Sequence, residues 1–211
     1  MALLVGGCEL PHARLMLRPA PVSLESTAPQ RHERPLAIRF DPALDALQVE
    51  GVRRMHDQDG PVLSELAVDY EMGSAVTGTV LATLRARGEN AVRVTTDACP
   101  PDARGLLSVG LARAPYVHLF WTPDPRGEFG GSTLEIALTI TNRRCSGERV
   151  WRRYVIGYGT GSDKARLNIS SPYPHEQQFE PAATNLLQDL AHNLGAVLDE
   201  VEASTAAGGA L

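Results

Sequence analysis

The sequence predicts an α+β domain: a two-layer sandwich in which a mostly antiparallel sheet of about five strands carries two main helices on one face. Three observations support this class. Alternating, β-branched segments follow one another in the second half of the 211-residue chain. Apolar stripes at helical spacing lie before that run and at the C-terminus. Hydrophobic content of 43% and charged content of 21% are those of a folded globular protein.

Composition divides the chain into four segments. Residues 1–8 form a truncated signal-like segment, 9–35 a proline-rich spacer, 36–203 a single folded domain and 204–211 a disordered tail. The spacer holds five prolines, a density that favours extended backbone over a helix or an interior strand. A plain disordered arm is the alternative for this segment.

The first half of the domain opens with a strand at Leu36–Phe40, where apolar and polar residues alternate. From there to Pro61 the composition is that of a loop. A helix is predicted over 73–88, ended by Gly88. The intervening VLSELAVDYEM fits either a strand or two further helical turns.

The second half contains the run of strands. After a short candidate, AVRVTTD, the segments LLSVGLARA, YVHLFWT, STLEIALTITN and RVWRRYVIGYG alternate and are separated by turn residues, which predicts an antiparallel meander. GYGTG at the end of the last segment lacks the following helix of a phosphate-binding loop, so we interpret it as a flexible loop leaving a strand.

The longest helix is predicted to begin at Pro181, because proline suits a first helical turn. Its apolar stripe consists of Leu186, Leu190, Leu194, Val197 and Val201. We expect this stripe to pack on the sheet rather than bind a partner.

Charge and motifs exclude several functions. A net charge of −5 and a pI near 5.7 argue against a general nucleic-acid binder. No run of about twenty apolar residues occurs, so no segment is predicted to span a membrane as a helix. The six histidines are scattered and no catalytic motif is found. We therefore predict no catalytic residue, no metal site and no cofactor.

The N-terminus contains a candidate lipidation site. Val5-Gly6-Gly7-Cys8 has the apolar–small–small–cysteine pattern of a bacterial lipobox, which predicts acyl chains on Cys8. The apolar part, Ala2 to Gly7, is too short for an intact signal peptide. Either the start codon is misassigned and a leader lies upstream, or the pattern is a coincidence and the protein is cytoplasmic.

The other two cysteines form a candidate disulfide. With Cys8 lipidated, Cys99 and Cys145 remain as an even pair, each in a turn-like segment. Their bridge would close a loop of 46 residues (145 minus 99), for which chain-entropy models give about 4 kcal/mol. This suits an oxidising compartment such as the periplasm. Two unpaired thiols in a cytosolic protein are the alternative.

Positive charge and aromatic rings concentrate near one hairpin. The arginines are Arg143, Arg144, Arg149, Arg152 and Arg153, and the rings are Trp121, Trp151, Tyr154 and Tyr158. Guanidinium groups could hold lipid phosphates or a partner's carboxylates, so these arginines are candidate anion- or partner-binding residues; solvated faces are the alternative. Such rings usually fill a core, although an exposed cluster would mark a binding surface.

This order of elements resembles a known class of proteins. The lipobox-like cysteine, the proline-rich spacer, the strands containing TLEIALTITNRRCSGERVWRRYVIGYG and the terminal helix are similar to small Gram-negative outer-membrane lipoproteins of the YajG, ABC-transport auxiliary and LpoB-like (penicillin-binding-protein activator) type. The resemblance covers most of Leu36 to Val201 as a pattern of elements.

The resemblance implies a palmitate-bearing, non-catalytic lipoprotein of the outer membrane that faces the periplasm. It would serve as an adaptor or accessory subunit of an envelope complex for lipid transport, cell-wall synthesis or secretion, with an envelope protein as partner. Two other functions stay open: a soluble ligand-binding module with an aromatic pocket, and an enzyme without a recognisable motif.

Overall fold

The computed structural model describes residues 12–25, 28–56, 62–124, 127–163 and 179–206. The strands in these ranges are β1 (His12–Leu17), β2 (Leu36–Phe40), β3 (Gln48–His56), β4 (Val62–Glu71), β5 (Ala91–Val94), β6 (Gly105–Leu111), β7 (Tyr116–Asp124), β8 (Gly127–Arg143) and β9 (Arg149–Asp163). The helices are α1 (Pro42–Asp45), α2 (Gly73–Ala86) and α3 (Glu180–Ala206).

The larger sheet has six strands built around β8. Strands β6 and β7 follow one another along one edge of β8, and β9 pairs with the other edge, all antiparallel to it. On the far side of β6, strand β2 pairs in parallel with both β6 and β5. Because β8 is 17 residues long, one of its edges has room for both β6 and β7, while the other edge pairs with β9.

The smaller sheet has three strands in the order β1-β4-β3. Strand β1 is parallel to β4, and β3 is antiparallel to it. The sheet packs closely on β7: a Cβ added at Gly51 of β3 would lie 2.9 Å from Leu119 Cγ and 3.0 Å from Val117 Cγ2. This close approach requires glycine in the middle of β3.

Helices α2 and α3 cover one face of the larger sheet, which we call the inner face. Side chains on that face form the main core, among them Ile38, Leu107, Ile140 and Val155. The apolar stripe of α3 packs there as predicted: Leu186 and Leu190 are fully buried. We call the opposite side of the six-stranded sheet the outer face.

Tyr70 joins the small sheet, the large sheet and α3. Its hydroxyl shares a hydrogen bond with the Ser132 hydroxyl of β8 and donates to the carbonyl oxygen of Phe179, just before α3, at 3.3 Å. Burial raises the pKa of Tyr70 to about 12, and the hydrogen bond with Ser132 offsets part of that rise. The protonated hydroxyl is therefore a fixed structural link.

Strand β9 and α3 approach each other through alternate glycines. Gly157, Gly159 and Gly161 lie within β9, so GYGTG is not the loop that the sequence suggested. A Cβ at Gly157 would lie 2.9 Å from Leu190 Cβ, and one at Gly159 would overlap the Ala182 carbonyl oxygen and the Leu186 amide nitrogen. Glycine at every second position thus lets the helix backbone lie directly on the strand.

The predicted α+β class is confirmed, with helices α2 and α3 on one face. The number of strands is larger than the five expected, and they form two sheets. VLSELAVDYEM is strand β4, whereas the predicted loop between Phe40 and Pro61 contains α1 and β3. At the C-terminus, residues 204–206, assigned to the tail, continue α3.

The segment predicted to be a spacer contributes strand β1. This strand lies between Pro11 and Pro19 and occupies an edge of the small sheet, where flanking prolines are tolerated. It is fixed by its pairing with β4 and by an ion pair from Arg14 Nε to Asp69 Oδ2 at 2.5 Å, which raises the pKa of Arg14. The folded region described thus begins well before Leu36.

Candidate functional site: the outer face of the larger sheet

Alternation along β9 separates its residues between the two faces of the sheet. Trp151 and Val155 are buried on the inner face. On the outer face the exposed fractions of Tyr154, Ile156 and Tyr158 are 61%, 43% and 52%. These outer residues are large and apolar or aromatic, and no described element packs over them.

Strands β7 and β8 extend this exposed surface. Tyr116 of β7 and Tyr158 of β9 both pair in register with Glu135 of β8, so the two rings flank one carboxylate on the same face. Tyr116 is more than half exposed, and Glu135 forms an ion pair with Arg113. We call the exposed set Tyr116, Tyr154, Ile156 and Tyr158 the tyrosine face.

Helix α3 caps the free edge of β9 beside this face. Asn185 donates to the Thr160 carbonyl oxygen at 2.7 Å, and Asn193 donates to that of Ile156 at 2.8 Å. Between them, Asp189 Oδ2 accepts from the Tyr158 amide at 2.9 Å. The three helix residues are four positions apart, and the strand residues that they contact are two positions apart. About one turn of α3 therefore spans two residues of β9. The three helix side chains satisfy backbone groups that another strand could otherwise pair with.

The five candidate arginines do not form one cluster. Arg152 and Arg153 are consecutive, so they lie on opposite faces. The Arg152 guanidinium lies 5.5 Å from the centroid of the Tyr154 ring on the outer face, and Arg153 reaches Glu200 of α3 at 3.6 Å. Arg144 pairs with Glu148 within the hairpin turn at 2.8 Å.

Arg143 and Arg149 pair in register at the start of the β8–β9 hairpin. Both are exposed. Neither has an ion-pair partner among the residues that the structure describes, and the same holds for Arg152. The end of the hairpin next to its turn therefore carries positive charge, although the net charge of the protein is −5.

Cys99 and Cys145 are joined in a disulfide, with their Cα atoms 5.2 Å apart. The bridge fastens the loop after β5 to the β8–β9 turn. It borders a cavity of about 290 Å³ on the outer face, whose lining includes Arg39, Ser108 and Arg143. Beside it, Leu106, Ala37 and Ala103 form a small second core against Cys99.

The aromatic side chains that the structure describes do not converge on one pocket. Trp151 belongs to the main core, whereas Tyr154 and Tyr158 lie on the outer face. The side chain of Trp121 lies outside the described residues. An aromatic pocket built from these four rings, which the ligand-module alternative needed, is not supported by this arrangement.

The predicted lipidation site lies outside the residues that the structure describes. Metal-binding clusters and membrane-spanning helices can be examined only within the described residues. Cys8 lies outside the described ranges, and so does the rest of segment 1–11. Among the residues that the structure does describe, no three His, Cys, Asp or Glu side chains are grouped so that they could hold a metal ion. Of the helices described, none combines the length and apolarity needed to cross a membrane.

Sequence reasoning did not identify Tyr116, Arg39 or Ser108 as members of this surface. Tyr116 alternates with His118 and Phe120 along β7, which already indicated a shared face. Arg39 and Ser108 needed the pairing of β2 with β6, which places them side by side in register. Parallel pairing between distant segments leaves no local signal in the sequence.

Comparison with known proteins gives matches only at the level of solved structures. No protein-family model matches this sequence. No curated protein matches it either.

Three structures illustrate the matches. XCC0632 from Xanthomonas campestris, of family DUF330, aligns with a TM-score of 0.46 and 12% identity over 90% of this chain and 98% of its own. A minor lipoprotein from Acinetobacter baumannii gives 0.35 and 9% over 83% and 92%, respectively. Chlamydia trachomatis CT253 gives 0.38 and 7% over 79% and 97%. One of the three is thus a bacterial lipoprotein; at these identities and TM-scores the similarity assigns neither a family nor a function.

Proposed function

We propose that this chain is an envelope lipoprotein, anchored through Cys8 in the outer membrane and facing the periplasm, that acts as a non-catalytic adaptor. The observation that carries the adaptor role is the tyrosine face, which lies beside arginines that have no ion-pair partner among the described residues. Tyrosine and arginine, together with tryptophan, are the residue types most enriched among the residues that dominate the binding energy of protein interfaces. The partner we propose is an envelope protein that presents an acidic segment, because Arg149 and Arg152 border the face without ion-pair partners among the described residues.

The disulfide supports export. A bridge between Cys99 and Cys145 fastens two loops that are distant in sequence. Such structural bridges persist in oxidising compartments such as the periplasm and are rare in the cytosol. A covalent link of this kind agrees with a protein that functions outside the reducing cytoplasm.

The position of β1 sets how an anchored domain would sit. Three residues separate Cys8 from His12, where β1 begins. From one Cα to the other, that length of chain reaches at most about 14 Å. A domain anchored at Cys8 is therefore held against the bilayer, not at the end of the long spacer that the prolines suggested. Several acyl chains on the cysteine would make this attachment lasting.

The free edge of β9 is a poor alternative to the tyrosine face as the docking surface. Edge docking adds a strand through free backbone groups. Along β9, Asn185, Asp189 and Asn193 already occupy three of those groups. The outer face is thus more accessible to a partner than the neighbouring edge of β9.

The anchor is tested by expressing Cys8→Ser with the native upstream region. We expect the variant to leave the membrane fraction and appear in the soluble periplasmic fraction, because the thioether that carries the lipid cannot form. Fractionation by ultracentrifugation of spheroplast extracts measures this. Identical fractionation of variant and wild type would contradict the anchor.

The adaptor role is tested by the double variant Tyr154→Ser/Tyr158→Ser in affinity capture from detergent-solubilised envelopes. We expect it to lose the specific partner that the wild type retains, since it removes two interface rings. Val52→Ser is the matched control: Val52 is a half-exposed apolar residue of the small sheet, away from this face. Retention of the same partner by the double variant would refute docking on the tyrosine face.

A further inference from the structure

A cavity of about 290 Å³ lies on the outer face where the disulfide meets β2, β6 and the end of β8. Its size is at the lower end of the range for small-molecule sites. Three guanidinium groups line it, from Arg39, Arg143 and Arg144, against the carboxylate of Asp97. The concentration of positive charge in an acidic protein requires an explanation.

Two of the three arginines have structural partners. Arg39 pairs with Asp97 Oδ1 at 2.8 Å, which ties the loop before the disulfide to strand β2. Arg144 pairs with Glu148 across the hairpin turn, also at 2.8 Å. Arg143 has no ion-pair partner among the residues that the structure describes. Its guanidinium is therefore the one that no described carboxylate neutralises, which makes it the principal candidate to bind an anionic ligand.

The strand register places three donors close together. Arg39 and Ser108 are paired neighbours on β2 and β6, and Leu106, two residues from Ser108, pairs with Arg143 on β8. Side chains at such positions on one face of adjacent strands lie within reach of one another. In addition to Arg144 of the turn, two guanidinium groups and one hydroxyl carried by the strands thus line the same small cavity.

We propose that this cavity binds a phosphate group, with Arg143 as its principal ligand and Arg39 and Ser108 as supporting donors. A phosphate offers more acceptor oxygens than a carboxylate, so it can accept from two guanidinium forks and a hydroxyl at the same time. Such a group could come from a free phosphate compound or from a lipid headgroup. The site does not depend on the anchor at Cys8 or on the tyrosine face.

The disulfide joins two segments that form part of the cavity wall. Cys99 and Cys145 both line the cavity, and the bridge joins the segments that carry Asp97 and Arg144. Without the bridge, these two segments are no longer covalently joined to each other at the wall of the cavity. We therefore expect reduction of the bridge to weaken phosphate binding, while Arg143, Arg39 and Ser108 keep their places on the paired strands.

Titration of the purified, oxidised full-length chain with inorganic phosphate, followed by calorimetry, tests the site. We expect Arg143→Ala to weaken binding about tenfold or more, because it removes charge-assisted hydrogen bonds. Arg149→Ala is the matched control: Arg149 pairs in register with Arg143 but does not line the cavity. Arg143 is exposed, so its replacement leaves the fold intact. No binding of phosphate to the wild type, or an equal loss in both variants, would overturn the proposal.

Two further arms identify the chemistry and its source. Acetate should bind more weakly than phosphate, and equal or tighter acetate binding would overturn the assignment to phosphate. Vesicles of phosphatidylglycerol are compared with vesicles of phosphatidylcholine. Binding to the first alone, lost in Arg143→Ala, supports the site with a lipid headgroup as the source. Binding of inorganic phosphate without vesicle binding supports the site with a soluble source.

Discussion

The two faces of β9 carry side chains of opposite kinds. On the inner face, Gly157, Gly159 and Gly161 have no side chain, so the backbone of α3 lies directly on the strand. On the outer face, Tyr154 and Tyr158 present large rings to solvent. The same stretch of chain is thus specialised for internal packing on one side and for external contact on the other.

This difference separates stability from function in neighbouring positions. An inner residue of β9 contributes through close packing, where even one added carbon has no room. The exposed rings of the outer face make few internal contacts, so their loss should leave the fold largely intact. Substitutions on the two faces should therefore have different consequences although they are adjacent in sequence.

The largest expected effect is that of Gly159→Val. The added side chain would overlap the Ala182 carbonyl oxygen and the Leu186 amide nitrogen, which are backbone atoms and cannot move aside independently. We expect destabilisation of more than about 3 kcal/mol or loss of folded protein, measured by urea denaturation. Tyr158→Ala on the other face is the control and should change stability by no more than about 0.5 kcal/mol. Similar values for the two variants would refute the difference between the faces.

A smaller effect is expected from Tyr70→Phe. This variant tests the link between the small sheet, the inner face of β8 and the start of α3. The change removes the Tyr70 hydroxyl, to which the fully buried Ser132 hydroxyl is hydrogen-bonded, and should cost about 1–3 kcal/mol.

The same variant should alter the pH dependence of stability. The pKa of Tyr70 rises from 10.0 to about 12 on folding, so its contribution is fully present below pH 10 and is lost as the pH rises towards 12. Tyr70→Phe should therefore lose stability less steeply than the wild type over this interval. Parallel curves in urea titrations at several pH values would contradict the buried link.

The smallest effect is expected at the border between the two faces, from Asp189→Ala. This change removes the acceptor of the Tyr158 amide and should cost about 1 kcal/mol, since water can reach this edge. Hydrogen exchange of the Tyr158 amide should become faster. Glu200→Ala, which alters only an exposed pair with Arg153, is the control on the same helix. Unchanged protection of the Tyr158 amide would show that α3 does not cap the strand.

Local patterns in the sequence were sufficient for the elements with strong periodicity. The alternation of Leu134, Ile136 and Leu138 predicted β8, and the stripe of α3 predicted its buried side. The split between Arg152 and Arg153 also follows from alternation alone. These features depend on residues close together in the chain, where the sequence carries the information directly.

Features that depend on distant contacts were missed. Strand β3 contains Gly51, which weakens its local strand signal but is required by Leu119 of β7. Strand β1 lies among prolines and is held by its pairing with β4. The glycines of GYGTG resemble a loop until the backbone of α3 is placed beside them. In each case the reason for the residue lies in another part of the fold.

The most direct test of the tyrosine face is site-specific photo-crosslinking in cells. A benzophenone amino acid replaces Tyr158, and in a parallel strain it replaces Val52 of the small sheet. Our account predicts that the probe at 158 links this chain to another envelope protein, at a peptide rich in Asp and Glu, and that the probe at 52 does not. Adducts only with lipid or with a second copy of this chain, or equal adducts from both positions, would contradict it.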